Sequence, residues 1–116
     1  MAACKAFEMA GVKTAADLDL VELCNTTSVE EMILREAVGL PAKGDAGTVV
    51  NPSGGPLAGH AIMASGLVRL GEVFRQLGGG AANPVPGAKR ALAHASQGHC
   101  LQQNLVWVLG TERRWS

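Results

Sequence analysis

The chain contains no tyrosine and only two phenylalanines and two tryptophans, so a phenolic acid or base would have to come from elsewhere. With 47% apolar residues and 15 glycines in 116 positions, the core it can build is aliphatic and loop-rich. That length suits one domain or a piece of one. Neither sign of charge prevails, because ten Lys and Arg balance ten Asp and Glu. Without a basic tract or aromatic–basic interleaving, nucleic acid is not an expected partner. The apolar runs fall far short of membrane-spanning length, and the start lacks a charged segment leading into a hydrophobic one. No membrane partner is expected, and the default location is cytoplasmic.

Cysteine is also scarce. Cys4, Cys24 and Cys100 are an odd number with no paired spacing, which argues against a disulfide framework or a zinc ribbon. Reduced thiols, buried and inert, are the ordinary reading, and no metal site is expected.

What the sequence does have is a glycine-rich run, Asn51-Pro52-Ser53-Gly54-Gly55-Pro56-Leu57-Ala58-Gly59-His60, followed by Ala61-Ile62-Met63-Ala64-Ser65-Gly66. Small residues let a backbone pass close to another segment or a ligand, where Cβ atoms would interfere. One histidine is delivered to the mouth of a helix, whose first N–H groups and positive dipole end lie beside it. Imidazole exchanges protons near neutral pH, so His60 is the leading candidate for chemistry. A histidine that merely satisfies backbone groups is the plain alternative.

Around this run the periodicities predict a helix over residues 2–10, with Ala3, Ala6, Phe7 and Ala10 on one face and Gly11 as its stop. A short strand is expected over 17–23. Ser28 with Glu31 reads as a capping box, opening a helix with Val29, Met32, Ile33 and Ala37 on one face and an end near Gly39-Leu40-Pro41. Residues 42–56 read as loop, with a short strand at Thr48-Val49-Val50. The next helix is expected over 61–77, with Leu67, Leu70, Phe74 and Leu77 as its apolar stripe. Arg69, Glu72, Arg75 and Gln76 are expected on the other side, as a solvated charged face explained by i,i+3 pairing. Residues 78–87 form a surface loop. Strands are expected over 89–95 and 102–109, paired antiparallel through a short link. The second strand, apolar on both faces through Leu105–Leu109, should be covered on both sides. This order fits an α/β fold with a mixed β-sheet covered by helices. Arg113, Arg114 and Trp115 read as a frayed tail.

The run from Asn51 to Gly66 resembles the histidine loop of the thiolase superfamily, whose usual form is N-x-x-G-G followed by G-H-P-x-G-A-S/T-G. Here the asparagine, both glycines, Gly59-His60 and Ala64-Ser65-Gly66 match, whereas Ala61 and Met63 replace a proline and a glycine. The likeness extends along most of the chain, in the order of a thiolase C-terminal half. Ala-Leu-Ala-His at 91–94 is similar to the sterol-carrier-protein-x-like and actinobacterial lipid-transfer branch. The resemblance implies a single, partial thiolase C-terminal domain over 1–116, with the leading strand outside the chain.

Roles follow by the same resemblance. His60 would activate a nucleophilic cysteine and help hold a thioester oxygen, with Gly59 and Ser65 beside the substrate. The nucleophile belongs to the other half of the family fold, and Cys4, in an alanine-rich helix, does not match it. Aligned on Glu22-Leu23, Cys24 falls where the family polarises the thioester carbonyl, with Asn25 next to it; a plain turn and helix cap is the alternative. Ser96 falls where a family cysteine moves the substrate α-proton, and an unassisted hydroxyl is a poor base. His94 or His99 could compensate, or either could simply end a strand; Gly98 keeps one glycine of that loop, and Cys100 is out of register.

The expected function is therefore the C-terminal domain of an acyl-CoA C-acyltransferase, acting on a CoA thioester as substrate without a further cofactor, and inactive alone. Its expected partners are an acyl-CoA and either an N-terminal thiolase half or a second subunit, in a homo- or hetero-oligomer. Two alternatives stand beside it: a degenerate lipid-transfer or acyl-CoA-binding subunit, and a thiolase-like aldolase component of steroid side-chain breakdown.

Overall fold

The computed structural model describes residues 2–44, 47–98 and 101–112. Helix α1 spans Ala2–Ala10 and stops at Gly11, whose φ of 65° is the left-handed conformation a helix end favours. A 3-10 turn at Ala15–Asp17 leads to strand β1, Leu20–Glu22. Helix α2 is Ser28–Val38, strand β2 is Val49–Val50, and α3 is a single turn at Gly55–Ala58. A second 3-10 turn at Ile62–Ala64 precedes α4, Ser65–Leu77. Strands β3, Arg90–Gln97, and β4, Gln103–Gly110, close the fold.

The four strands form one mixed sheet in the order β2-β1-β3-β4. β1 runs parallel to both β2 and β3, and β4 returns antiparallel along β3, with Arg90 opposite Gly110 and Gln97 opposite Gln103. The α/β class, the mixed sheet and the antiparallel final pair match the sequence-based expectation.

Each face of the sheet has its own core. On one side Val21, Leu23 and Leu92 pack with Ala3 of α1 and Leu34 and Val38 of α2, joined by Phe7, Val106 and Val108. On the other, Leu20, Ala91 and Ala93 pack with Val73 of α4, joined by Leu70, Leu77, Trp107 and Leu109. β4 thus contributes to both cores, yet its residues are only half-buried and Leu105 is exposed, so coverage is thinner than its apolar pattern predicts.

Three local expectations are corrected. Helix α2 turns Leu34, Arg35 and Val38 inward, leaving Val29, Met32 and Ile33 exposed, the last at 53%. Its cap is Thr27, not Ser28. The Thr27 hydroxyl accepts the Glu30 N–H at 3.1 Å, and Glu30 accepts the N–H of Thr26, the residue before the cap, at 2.6 Å. The helix is thus capped one residue earlier and without the expected Ser28–Glu31 box. Helix α4 buries Ser65, Arg69, Val73 and Gln76, while Leu67 and Phe74 are 69% and 71% exposed. Arg69 is not on a solvated face: only 4% of it is exposed. Glu72 accepts from Gln76, and Arg75 donates to the Gly80 carbonyl.

Candidate active site

Because β1, β2 and β3 are mutually parallel, their carboxyl ends lie at one edge of the sheet, where open α/β sheets hold their ligands. Three segments leave from that edge. Leu23-Cys24-Asn25 follows β1, the glycine-rich loop follows β2, and Ser96 ends β3.

The first two segments are joined through Asn51. Its φ is 49°, a left-handed conformation asparagine tolerates better than most residues. Its side-chain oxygen accepts the Leu23 N–H at 2.6 Å, and its amide donates to Asn25 Oδ1 at 2.8 Å. Gly55 follows from this geometry, since a Cβ there would stand 2.7 Å from the Asn51 amide nitrogen. Asn25 is fully buried and also donates to Glu31 at 3.4 Å, so both its oxygen and its nitrogen are engaged within the protein.

Cys24 is joined to β3. Its N–H donates to His94 Nδ1 at 3.2 Å, and its carbonyl accepts from the Ser96 hydroxyl at 3.2 Å. Because Nδ1 accepts, the proton of the neutral ring lies on Nε2, 2.9 Å from Asn104 Oδ1. Asn104 is itself held by the Leu101 carbonyl at 2.7 Å. Burial holds the His94 pKa below its ordinary value, against a smaller opposite effect of the Asn104 bond. Both nitrogens of His94 are therefore occupied, and it orients the Cys24 turn rather than offering a free base. An open groove of about 710 Å3 lies between α1, α2 and β4, walled by Ile33, Leu34, Val38 and Val106, with His94 and Asn104 at its lining.

His60 is exposed, and its Nδ1 lies 2.8 Å from the Ser65 hydroxyl on the first turn of α4, while its Nε2 has no hydrogen-bond partner among the described residues. Among the described residues no hydrogen bond links this ring to Cys24 or Ser96. The connection is made by backbone packing, because α4 begins hard against β3. A Cβ on Gly66, next to Ser65, would collide with the side chain of Ala95, next to Ser96. The His60 imidazole also contributes, as the smallest cause, to holding Glu30 below the usual carboxylate range; the Thr26 hydrogen bonds dominate. Gly59 is extended and exposed, and Gly98, at a φ of 86°, is exposed at the end of β3. His99 and Cys100 lie outside the described residues, as does the 113–116 tail.

A cluster absent from the sequence reading sits beneath the loop. Glu22 is wholly buried and pairs with Arg69 Nη1 at 2.9 Å. Burial raises the Glu22 pKa, opposed first by hydrogen bonds from Ser53 and then by the Arg69 charge. Nothing local marks this pair, because its members lie 47 residues apart. Asn51 was visible as the first residue of the motif, although its role as a brace was not. Among the described residues no group of three or more His, Cys, Asp and Glu is arranged to hold a metal ion, and no helix is long and apolar enough to cross a membrane.

Comparison with known proteins agrees with this architecture. Residues 1–111 match the family model described as thiolase C-terminal domain-like. Sterol carrier protein 2 of Homo sapiens is 39% identical over 108 residues, covering 80% of this chain and 20% of the relative. The Gallus gallus protein of the same name is 42% identical with the same coverage. Acetyl-CoA acetyltransferase of Methanothermobacter thermautotrophicus is 36% identical, covering 80% of this chain and 28% of its own length. The fold is that of a thiolase C-terminal domain, and the chain belongs to that family. It spans about a fifth of the length of the sterol carrier protein 2 relatives it matches.

Proposed function

We propose that this chain is the histidine-bearing half of a thiolase-type acyl-CoA C-acyltransferase, with His60 as the base beside a CoA thioester. The observation that carries the reading is the meeting of three segments at the carboxyl ends of three parallel strands. One bears His60, one bears Cys24 and Asn25, and one bears Ser96 and Gly98. In this reading His60 Nε2 takes the proton of the nucleophilic cysteine and helps hold the thioester oxygen, while Ser65 fixes the ring. Gly59 and Gly98 offer backbone approach to the thioester. The aliphatic groove beside His94 is consistent with a long acyl or steroid group.

The nucleophile is supplied by an N-terminal thiolase half or a second subunit. Cys4 is exposed on α1, and Cys24 is buried with its backbone engaged. The apolar residues exposed on and before α4, among them Met63, Leu67 and Phe74, support such a partner. Covalent catalysis requires nucleophile and base in reach of one another, so the chain alone does not turn over. A cytoplasmic location accords with its free thiols.

The test is a titration of acetyl-CoA and a long-chain acyl-CoA against wild type and His60→Ala. Binding that weakens on substitution supports the reading, and absence of binding to wild type overturns it. Acetyl-CoA-dependent turnover by the isolated chain would refute the assignment of the nucleophile to another half.

One observation favours a second reading, that of a non-catalytic acyl-CoA- or lipid-binding subunit. The Ser96 hydroxyl is bonded to the Cys24 carbonyl, and both His94 nitrogens are engaged, so neither of these two side chains offers a free second base. Reconstitution with a cysteine-bearing thiolase half separates the two, because only the acyltransferase gains turnover.

A further inference from the structure

The Glu22–Arg69 pair is poorly explained as a device for stability. Removing both charges from water is costly, and well-packed apolar residues often replace such pairs without loss. Arg69 Nε is buried with no hydrogen-bond partner among the described residues, which leaves a further polar group uncompensated. What the pair does have is a third member. Ser53, near the start of the glycine-rich loop, donates its N–H to Glu22 Oε1 at 3.0 Å and its hydroxyl to Oε2 at 2.8 Å. The same hydroxyl accepts from Arg69 Nη1 at 2.7 Å and from the Gly55 N–H at 3.1 Å.

Arg69 lies one helical turn beyond Ser65, and both are on the buried face of α4. Ser65 holds the His60 ring, and Arg69 holds the loop that carries His60. The loop is therefore attached to the same two turns of one helix through Ser53 and His60, and Ser53 also ties it to the end of β1. Asn51 fastens its start independently, through Leu23 and Asn25.

From this geometry we infer that Glu22, Ser53 and Arg69 are positioning residues that set the His60 imidazole relative to the Cys24 turn. Their value for thioester chemistry rests on the function proposed above; their effect on the loop does not. They touch no reacting atom and act only through the loop.

Ser53→Ala tests this on the full chain, because it leaves the Glu22–Arg69 pair in place. Two readouts are taken: the His60 ring signals and Gly55 amide exchange by NMR without ligand, and acyl-CoA binding. The expectation is displaced His60 ring signals, faster Gly55 exchange and an unchanged sheet spectrum. Binding should weaken about fivefold, the worth of one modest hydrogen bond. Ser53→Thr, which keeps the hydroxyl, should restore both readouts. A second variant, Glu22→Leu with Arg69→Met, should remain folded while showing the same His60 displacement. Unchanged His60 signals in Ser53→Ala overturn the inference, whatever happens to stability or to the double variant. Wild-type chain that binds no acyl-CoA overturns the thioester reading alone, because the ligand-free NMR comparison still decides the positioning role.

Discussion

Gly66 and Ala95 meet where no side chain beyond a hydrogen fits between helix and strand. The Cβ of Ala95 occupies the space that a Cβ on Gly66 would need. This contact sets how near the first turn of α4, with Ser65 and His60, comes to the Ser96 end of β3. Gly66→Val should force the helix off the strand, at a cost of about 1–3 kcal/mol typical of overpacking. Ala95→Gly in the same molecule should recover most of the loss. Denaturant unfolding of the single and double variants checks this; additive effects with no recovery would show that the contact does not set the spacing.

The His94 link makes the Cys24 turn sensitive to acid. Its folded-state pKa lies below the ordinary value of 6.5, chiefly through burial. Above 6.5 the ring is neutral in both folded and unfolded chains. As pH falls below 6.5 the unfolded chain takes up the proton first, so stability drops until the folded pKa is passed. A protonated ring has no acceptor for the Cys24 N–H, so the turn itself loosens only at the lower end of this window, as pH falls through the folded-state pKa. His94→Gln should flatten the stability profile below 6.5 relative to wild type. Equal pH slopes in the two proteins would remove His94 as the cause.

Asn51 braces two segments with one side chain. Asn51→Ala removes the acceptor for the Leu23 N–H and the donor to Asn25, both buried, and puts a less tolerant residue at a φ of 49°. A loss of about 2–4 kcal/mol is expected from two unsatisfied buried groups. Asn51→Asp should also be destabilising, because its carboxylate keeps the acceptor for Leu23 but faces Asn25 Oδ1 without a proton. Thermal unfolding checks both; an Asp variant as stable as wild type would contradict the assigned amide orientation.

Much of the fold was legible because its signals are local. Gly11 ends a helix by its own conformation, and the strand pair near the C-terminus falls within one or two residues of its expected bounds. Helix α4 was placed, but its orientation was misread for a physical reason. Leu70 and Leu77 belong equally to a stripe with Leu67 and Phe74 and to one with Val73. The inward face carries Arg69, whose burial depends on Glu22, which no window around the helix contains. The cap of α2 was ambiguous in the same way. Thr26, Thr27 and Ser28 can all cap, and Glu31 is drawn away to Asn25 and Arg35. His60 and its loop could be singled out from the glycines, whereas the engagement of Asn25, His94 and Ser96 arises from pairings across the sheet.

The misread stripe leads to a prediction of its own. Leu67 and Phe74 share an outward face of α4 with exposed Gly71 between them, and exposed Met63 lies just before the helix. Such a stripe on a helix facing water is a surface awaiting cover. The isolated wild-type chain should therefore associate, with itself or with a thiolase half, in size-exclusion chromatography with light scattering. Leu67→Ser with Phe74→Ser should change folding stability by no more than about 0.5 kcal/mol, as exposed substitutions generally do. The same variant should shift the chain toward monomer and abolish capture of the other half. Core residues on the opposite face of α4, such as Val73, should behave in reverse, with Val73→Ala destabilising the fold before it affects association. A monodisperse wild-type monomer that remains soluble at high concentration would show that this face needs no partner.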